Sequence, residues 1–280
     1  MANALLKLEG DAVSAATPFF RESGEGEAVV CIHASASSSG QWRALMKRLG
    51  KRYRSIAPDL IGYGRSPAWQ GESDLWLNDE VDSIAPVLET AGQRFSLIGH
   101  SYGGAVALKA ALRYRERLRC LLVYEPVLLS VLLTQAPDHP AAVEIMALRD
   151  ETIRAVEQDD LAMAAERFVD YWLGLGTWAT LPETRRMPMM QSMRKVAAEW
   201  HAASYEPTPL AEFASLDTPT LYLTGALSPA PTREIAALLA PVLPRVELVE
   251  LDGMSHMGPI THPESVNAAI EQYLIHTLRA

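Results

Sequence analysis

Short runs that are apolar at nearly every position recur along the chain, at residues 28–33, 55–58, 95–99, 119–124, 220–224 and 246–251. A strand with one solvated face alternates apolar and polar residues. A run without alternation predicts a strand covered on both faces, as in a parallel sheet. Helical patterns lie between the runs. Residues 74–90 place Leu77, Val81, Ile84 and Leu88 at spacings of three and four, with Asp74 as candidate N-cap. Residues 103–114 predict a helix of small residues, and 263–278 align Val266, Ile270, Tyr273 and Leu274 on one stripe. Strands alternating with helices predict an α/β fold with a doubly wound, mostly parallel sheet.

One long stretch breaks the alternation. Residues 127–213 hold no strand pattern but several helical ones, at 139–149, 151–157, 159–173 and 189–204. The expected organisation is therefore an α/β core from 1–126 and 214–280, with 127–213 as an inserted helical cap. The segment is rich in Met187, Met189, Met190, Met193, Trp172, Trp178 and Trp200. Over the carboxyl ends of the strands these side chains would line a ligand pocket; in an ordinary helical subdomain they would be core filler.

Composition narrows the function. The chain has 280 residues, 49% of them hydrophobic and 21% charged, which is enough apolar content for a sizeable core. A net charge of -9 makes a phosphate backbone a poor partner, so nucleic acid is not expected. No apolar run approaches the roughly 20 residues of a membrane helix. The start, Met1 to Lys7, shows no signal-peptide pattern, and the expectation is a cytoplasmic protein. Cys31 and Cys120 sit inside predicted strands and read as buried reduced thiols. The spacing of the seven histidines offers no metal site, and nothing in the chain calls for a cofactor.

Residues 95–104 read Phe-Ser-Leu-Ile-Gly-His-Ser-Tyr-Gly-Gly and contain Gly99-x-Ser101-x-Gly103. An apolar strand ends at Gly99 and a small-residue helix begins at once. That is the setting of a nucleophile elbow, in which a strained turn lifts a serine above the sheet beside a helix N-terminus. A structural serine in a tight turn is the alternative. The serine motif and four further landmarks together resemble the α/β-hydrolase superfamily: His33-Ala34-Ser35, Asp59-x-x-Gly62-x-Gly64-x-Ser66, Pro219 to Gly225, and Leu251 to Gly258 around His256.

The resemblance implies Ser101 as nucleophile and His256 as base. Backbone N–H groups of Ser35 and Tyr102 would form the oxyanion hole. It also implies that His33 orders its loop, that Asp59 and Gly62 are loop architecture, and that Arg65 is solvated or paired. At Ala34 the family prefers glycine, so a positive φ there would carry strain. His100 is expected to point away from Ser101, and the remaining histidines to lie on the surface. The family's usual acid position holds Ser228, which cannot carry a charge. Glu125, closing the preceding predicted strand, is the candidate substitute, since some members place the acid there. A pocket-shaping role for Glu125 remains open, with Asp252 as fallback acid.

The expected activity is a serine hydrolase acting on a small carboxylic ester, thioester or lactone through an acyl-enzyme, with a small molecule as partner. Two alternatives stand beside it: carbon–carbon bond hydrolysis or cofactor-free perhydrolysis with the same residues, and a non-catalytic ligand-binding protein on a hydrolase scaffold. Serine at position 101 argues against the aspartate-nucleophile chemistries of this fold.

Overall fold

The computed structural model describes residues 18–70 and 74–279. The stretch Met1 to Lys7 lies outside them. Among the described residues seven strands form one sheet: β1 Phe20–Ser23, β2 Glu27–Ile32, β3 Tyr53–Pro58, β4 Phe95–His100, β5 Leu118–Tyr124, β6 Thr220–Gly225 and β7 Val246–Leu251. Their order is β1-β3-β2-β4-β5-β6-β7, with β1 antiparallel to β3 and every other pairing parallel. The doubly wound, mostly parallel sheet is thus as expected.

Alternate residues of each central strand serve opposite faces. Val30 and Ile32 pack towards α2 (Leu77–Thr90) and α3 (Tyr102–Tyr114), while Val29 and Cys31 pack towards α1 (Arg43–Leu49) and α11 (Pro263–Arg279). Both cysteines are free and buried in these strands, and burial drives both thiol pKa values up, Cys120 to about 12. The chain leaves β2 for β3 on one side and returns to β4 on the other. Connections therefore diverge between the carboxyl ends of β2 and β4, which is where such sheets leave a crevice.

From β5 to β6 the chain forms helices: α4 Leu129–Gln135, α5 Pro140–Glu157, α6 Leu161–Leu173, α7 Thr177–Thr180 and α8 Glu183–Ser204. These build an apolar core of their own around Ile145, Ala165, Trp172, Met193 and Trp200. After β6 come α9 Ala230–Leu239 and, between β7 and α11, the short α10 Gly258–Thr261. Among the described residues no helix is long and apolar enough to cross a membrane.

Several expectations need correction. The run 246–251 is not covered on both faces: β7 is the sheet edge, and Leu248 is half exposed. β1 went unread because four residues with two exposed positions leave almost no pattern. Asp74 does not cap α2. The helix starts at Leu77, where the Asp79 carboxylate accepts from the Trp76 N–H at 2.8 Å, and Asp74 lies 3.8 Å from His201 Nε2 instead. The patterns at 139–149 and 151–157 are one helix, and α8 begins at Glu183, running through Pro188.

Candidate active site

The turn after β4 is shaped by what surrounds it. A Cβ on Gly99 would collide with the Gly103 carbonyl, and one on Gly103 with the His33 carbonyl, so both positions require glycine. Between them Ser101 holds φ 57°, a conformation that costs a non-glycine residue about 1–3 kcal/mol. Its N–H donates to the Tyr124 carbonyl at 3.0 Å, and its own carbonyl accepts from Ala105 and Val127. The strain is held by the sheet on one side and α3 on the other.

Glu125 follows directly after β5 and also has positive φ, 41°. Its N–H donates to Leu223 of β6 at 3.0 Å, so the chain stays paired while the side chain turns across the strand end. Its Oε1 accepts from the Gly225 N–H at 2.7 Å and its Oε2 lies 2.7 Å from His256 Nδ1. His256 Nε2 lies 2.9 Å from Ser101 Oγ. A carboxylate only accepts, so Nδ1 carries the hydrogen and Nε2 is left to accept from the Ser101 hydroxyl. Glu125 and His256 are almost completely buried. Asp252 is exposed and takes no part, and Ser228 is buried with its hydroxyl unpartnered among the described residues.

The loop carrying His256 is tied down at several points. The Tyr124 hydroxyl donates to the Ser255 carbonyl at 2.7 Å, and the Leu227 N–H donates to the Met254 carbonyl at 2.8 Å. His100 Nε2 lies 2.8 Å from the His256 carbonyl, which can only accept. That leaves His100 Nδ1 as an acceptor for Gln41 Nε2 at 3.1 Å, while Gln41 Oε1 accepts from the Ala34 N–H at 3.0 Å. The chain of bonds runs one way, from the loop after β2 to the backbone of His256. It requires neutral His100, and burial indeed lowers its pKa well below the usual histidine value. His100 thus points away from Ser101 but into this relay. Residue type alone gave no signal for Gln41.

His33 bridges its own loop to the one after β3, with Nε2 accepting from Leu60 N–H at 3.0 Å and Nδ1 donating to the Ala34 carbonyl at 2.7 Å. Burial lowers its pKa to about 4. Asp59 accepts from Ser39 and Arg65 N–H groups, and Gly62 adopts φ 75°. The Arg65 guanidinium stacks 3.8 Å above the Phe19 ring. Positive φ in the loop after β2 falls at Ala36, not Ala34. Of the other histidines, His139 caps α5, His201 is half-buried with its ring 4.8 Å from Trp76, and His262 and His276 are exposed.

Above Ser101 lies a narrow pocket. Ser35, Ser101 and Tyr102 form its floor; Phe168 and Trp172 of α6 and Val196, Glu199 and Trp200 of α8 border it from the helical segment. Tyr102 opens α3, whose first N–H groups have no partners within the helix. The Trp172 ring lies 4.2 Å from the His256 ring, centroid to centroid. Tryptophan is therefore at the cavity as expected, but the methionines are not: Met193 is core and Met187 is exposed.

Behind the cavity wall, Lys195 Nζ donates to Glu199 Oε1 at 2.9 Å and to Glu80 Oε1 of α2 at 2.7 Å. Burial works against the Lys195 charge, but the two carboxylates outweigh it and its pKa rises. Glu80 Oε2 accepts from the Ile61 N–H at 3.1 Å. The cluster was missed because a Lys and a Glu four residues apart read as a solvated helix face.

Residues 29–269 match the model of the alpha/beta hydrolase family. The chain is 28% identical over 259 residues to the pimeloyl-(acyl-carrier protein) methyl ester esterase of Yersinia enterocolitica, covering 89% of this chain and 94% of that one. It is 34% identical over 140 residues to the 2-hydroxymuconate semialdehyde hydrolase of Pseudomonas sp. strain CF600, covering 46% of this chain and 48% of that one. Among solved structures, a thermophilic esterase from Thermogutta terrifontis superposes with a TM-score of 0.73 at 25% identity, covering 92% of this chain and 93% of that one.

Proposed function

Because the chain belongs to the alpha/beta hydrolase family, we propose that it is a serine hydrolase cleaving a small carboxylic ester, or its thioester or lactone counterpart, through an acyl-enzyme on Ser101. The observation that carries this reading is the buried row Ser101–His256–Glu125, bonded at 2.9 and 2.7 Å and opening into an apolar cavity. Similarity to a methyl ester esterase over 89% of the chain supports the bond class.

In this reading His256 Nε2 takes the Ser101 proton as Oγ attacks the ester carbonyl. The oxyanion is held by the N–H groups of Ser35 and Tyr102. Collapse expels the alcohol, which leaves with the proton from Nε2. Water then attacks the acyl-enzyme, again giving its proton to Nε2, and the acid departs as Ser101 is restored. Glu125 fixes the ring and stabilises the imidazolium formed in each half-reaction. The Trp172 ring, tilted 37° to the imidazole with centroids 4.2 Å apart, is near enough to favour the imidazolium through its π-electrons.

One observation favours a second reading. Likeness to a 2-hydroxymuconate semialdehyde hydrolase over 46% of the chain fits carbon–carbon cleavage by the same residues. The test is intact-mass analysis after a fluorophosphonate probe, on wild type, Ser101→Ala and His256→Ala, followed by turnover of an ester panel and a vinylogous diketone. One adduct on wild type, absent from both variants, with ester turnover, is the expected result. Diketone turnover without ester turnover selects the second reading, and folded wild type that takes no label points to a binding protein instead.

A further inference from the structure

Two loops of the site are joined by one side chain. The loop after β2 carries Ser35, whose N–H is the proposed oxyanion donor, and the loop before α10 carries His256. Gln41 stands in the one-turn helix Ser39–Trp42, where its own N–H donates to the Ser38 carbonyl at 2.9 Å and the next residue, Trp42, is buried. From that fixed backbone its amide reaches Ala34 on one side and His100 on the other. Ala34 is held a second time, since its carbonyl accepts from His33 Nδ1. That carbonyl shares a planar peptide with the Ser35 N–H, so the bonds on Ala34 together set where the N–H points.

The direction of every bond follows from the ends of the chain. The Ala34 N–H can only donate and the His256 carbonyl can only accept. Between them Gln41 must accept and donate at once, and neutral His100 must do the same. Turning the amide over would set donor against donor at Ala34 and acceptor against acceptor at His100. A carboxylate, which only accepts, cannot stand in without an added proton, and a methionine has nothing to donate.

Resting on the serine hydrolase reading, we infer that Gln41 is a positioning residue, whose amide works through His100 to hold the loop of the oxyanion donor and the loop of the base in one register. A misplacement of about 1 Å at reacting atoms can cost roughly a hundredfold in rate. Gln41 does not border the pocket above Ser101, so its loss belongs in kcat and not in KM.

The test compares turnover of the best ester by wild type, Gln41→Met and Gln41→Glu. Gln41→Met keeps the length and loses the amide; kcat is expected to fall roughly ten- to a hundredfold with KM within about twofold. Gln41→Glu can make both bonds only with one added proton, on the carboxyl or on His100 Nδ1. Its kcat relative to wild type is therefore expected to fall as pH rises from about 6 to 9, while the ratio for Gln41→Met stays flat. His256 and His33 are the titratable groups facing His100, with Glu125 beyond the first, Asp59 beyond the second and the Tyr124 ring at 5.6 Å. Wild type shares them all, so the ratio removes their own titration. In wild type, nitrogen NMR of the imidazole rings should find the His100 hydrogen on Nε2 at neutral pH. A hydrogen on Nδ1 overturns the inference with no variant needed. So does a kcat for Gln41→Met within about twofold of wild type, a loss confined to KM, or a flat ratio for Gln41→Glu. Failure of the underlying reading is separate: wild type then takes no fluorophosphonate label.

Discussion

The strand ends and the helices above them bring different kinds of side chain to the cavity. From the sheet come Ser35, Ser101 and Tyr102, on turns held by strand pairing, by glycines that cannot be replaced and by two residues in strained backbone. From the helical segment come Phe168, Trp172, Val196 and Trp200, with Glu199 among them. Polar atoms at the strand ends are tied into fixed bonds from Ala34 to the His256 carbonyl, whereas the helical side brings mostly apolar chains and rings, Phe168, Trp172, Val196 and Trp200. The contrast separates the two tasks. Reacting atoms need positions fixed to a fraction of an ångström, which a sheet supplies; recognition needs a shaped wall with a few open polar groups, which packed helices can supply.

Breaking the sheet side should have the largest effect. Ser101→Ala is expected to lower kcat on the best ester by on the order of 10⁴- to 10⁶-fold. Glu125→Gln is expected to cost roughly 10³- to 10⁴-fold with little change in thermal unfolding, while Asp252→Asn leaves kcat within about twofold. If the two carboxamide variants gave the reverse pattern, the acid would have been misplaced.

The link between the two regions comes next. Lys195 of α8 bridges to Glu80 of α2, and Lys195→Met strands two buried carboxylates. Urea unfolding should show a loss of about 3–5 kcal/mol; a loss under about 1 kcal/mol would mean that the cluster is wet and screened.

Acid should then weaken the core. The unfolded pKa of histidine is near 6.5 and the folded His33 value is about 4, so the folded state binds fewer protons between them. Stability is full above pH 6.5 and falls as pH drops towards 4, by about 3 kcal/mol from this residue. His33→Gln should flatten that slope in unfolding measured across the window. The smallest effect belongs to the helical wall: Trp172→Leu should lower kcat by roughly two- to tenfold through loss of the ring beside His256.

Legibility in the sequence follows the same divide. The core strands showed themselves because burial on both faces removes polar residues from them, and Ser101 because its turn admits only glycine at 99 and 103. His256 and Glu125 were named by resemblance to the family's order of residues, and their meeting at 2.7 Å is a fact of the fold. Edge strands β1 and β7 were missed or misread because their pattern is short or half solvated. The buried side of α8 was illegible for a different reason. It contains Lys195 and Glu199, and a helix whose inner face carries charges loses the amphipathic contrast that would reveal it.

Placing a carboxylate at Glu125 has a consequence for taking the molecule apart. Ser101 and Glu125 flank a single helix within one β4–α3–β5 unit, while His256 arrives from the other end of the chain. Leu175, between Gly174 and Gly176 at the junction of α6 and α7, is 96% exposed, a natural place to sever the backbone. One half would then hold the serine with its carboxylate and the other the imidazole. Neither could turn over an ester alone, so colour from a chromogenic ester would report reunion of the halves, making the chain a two-piece sensor of proximity.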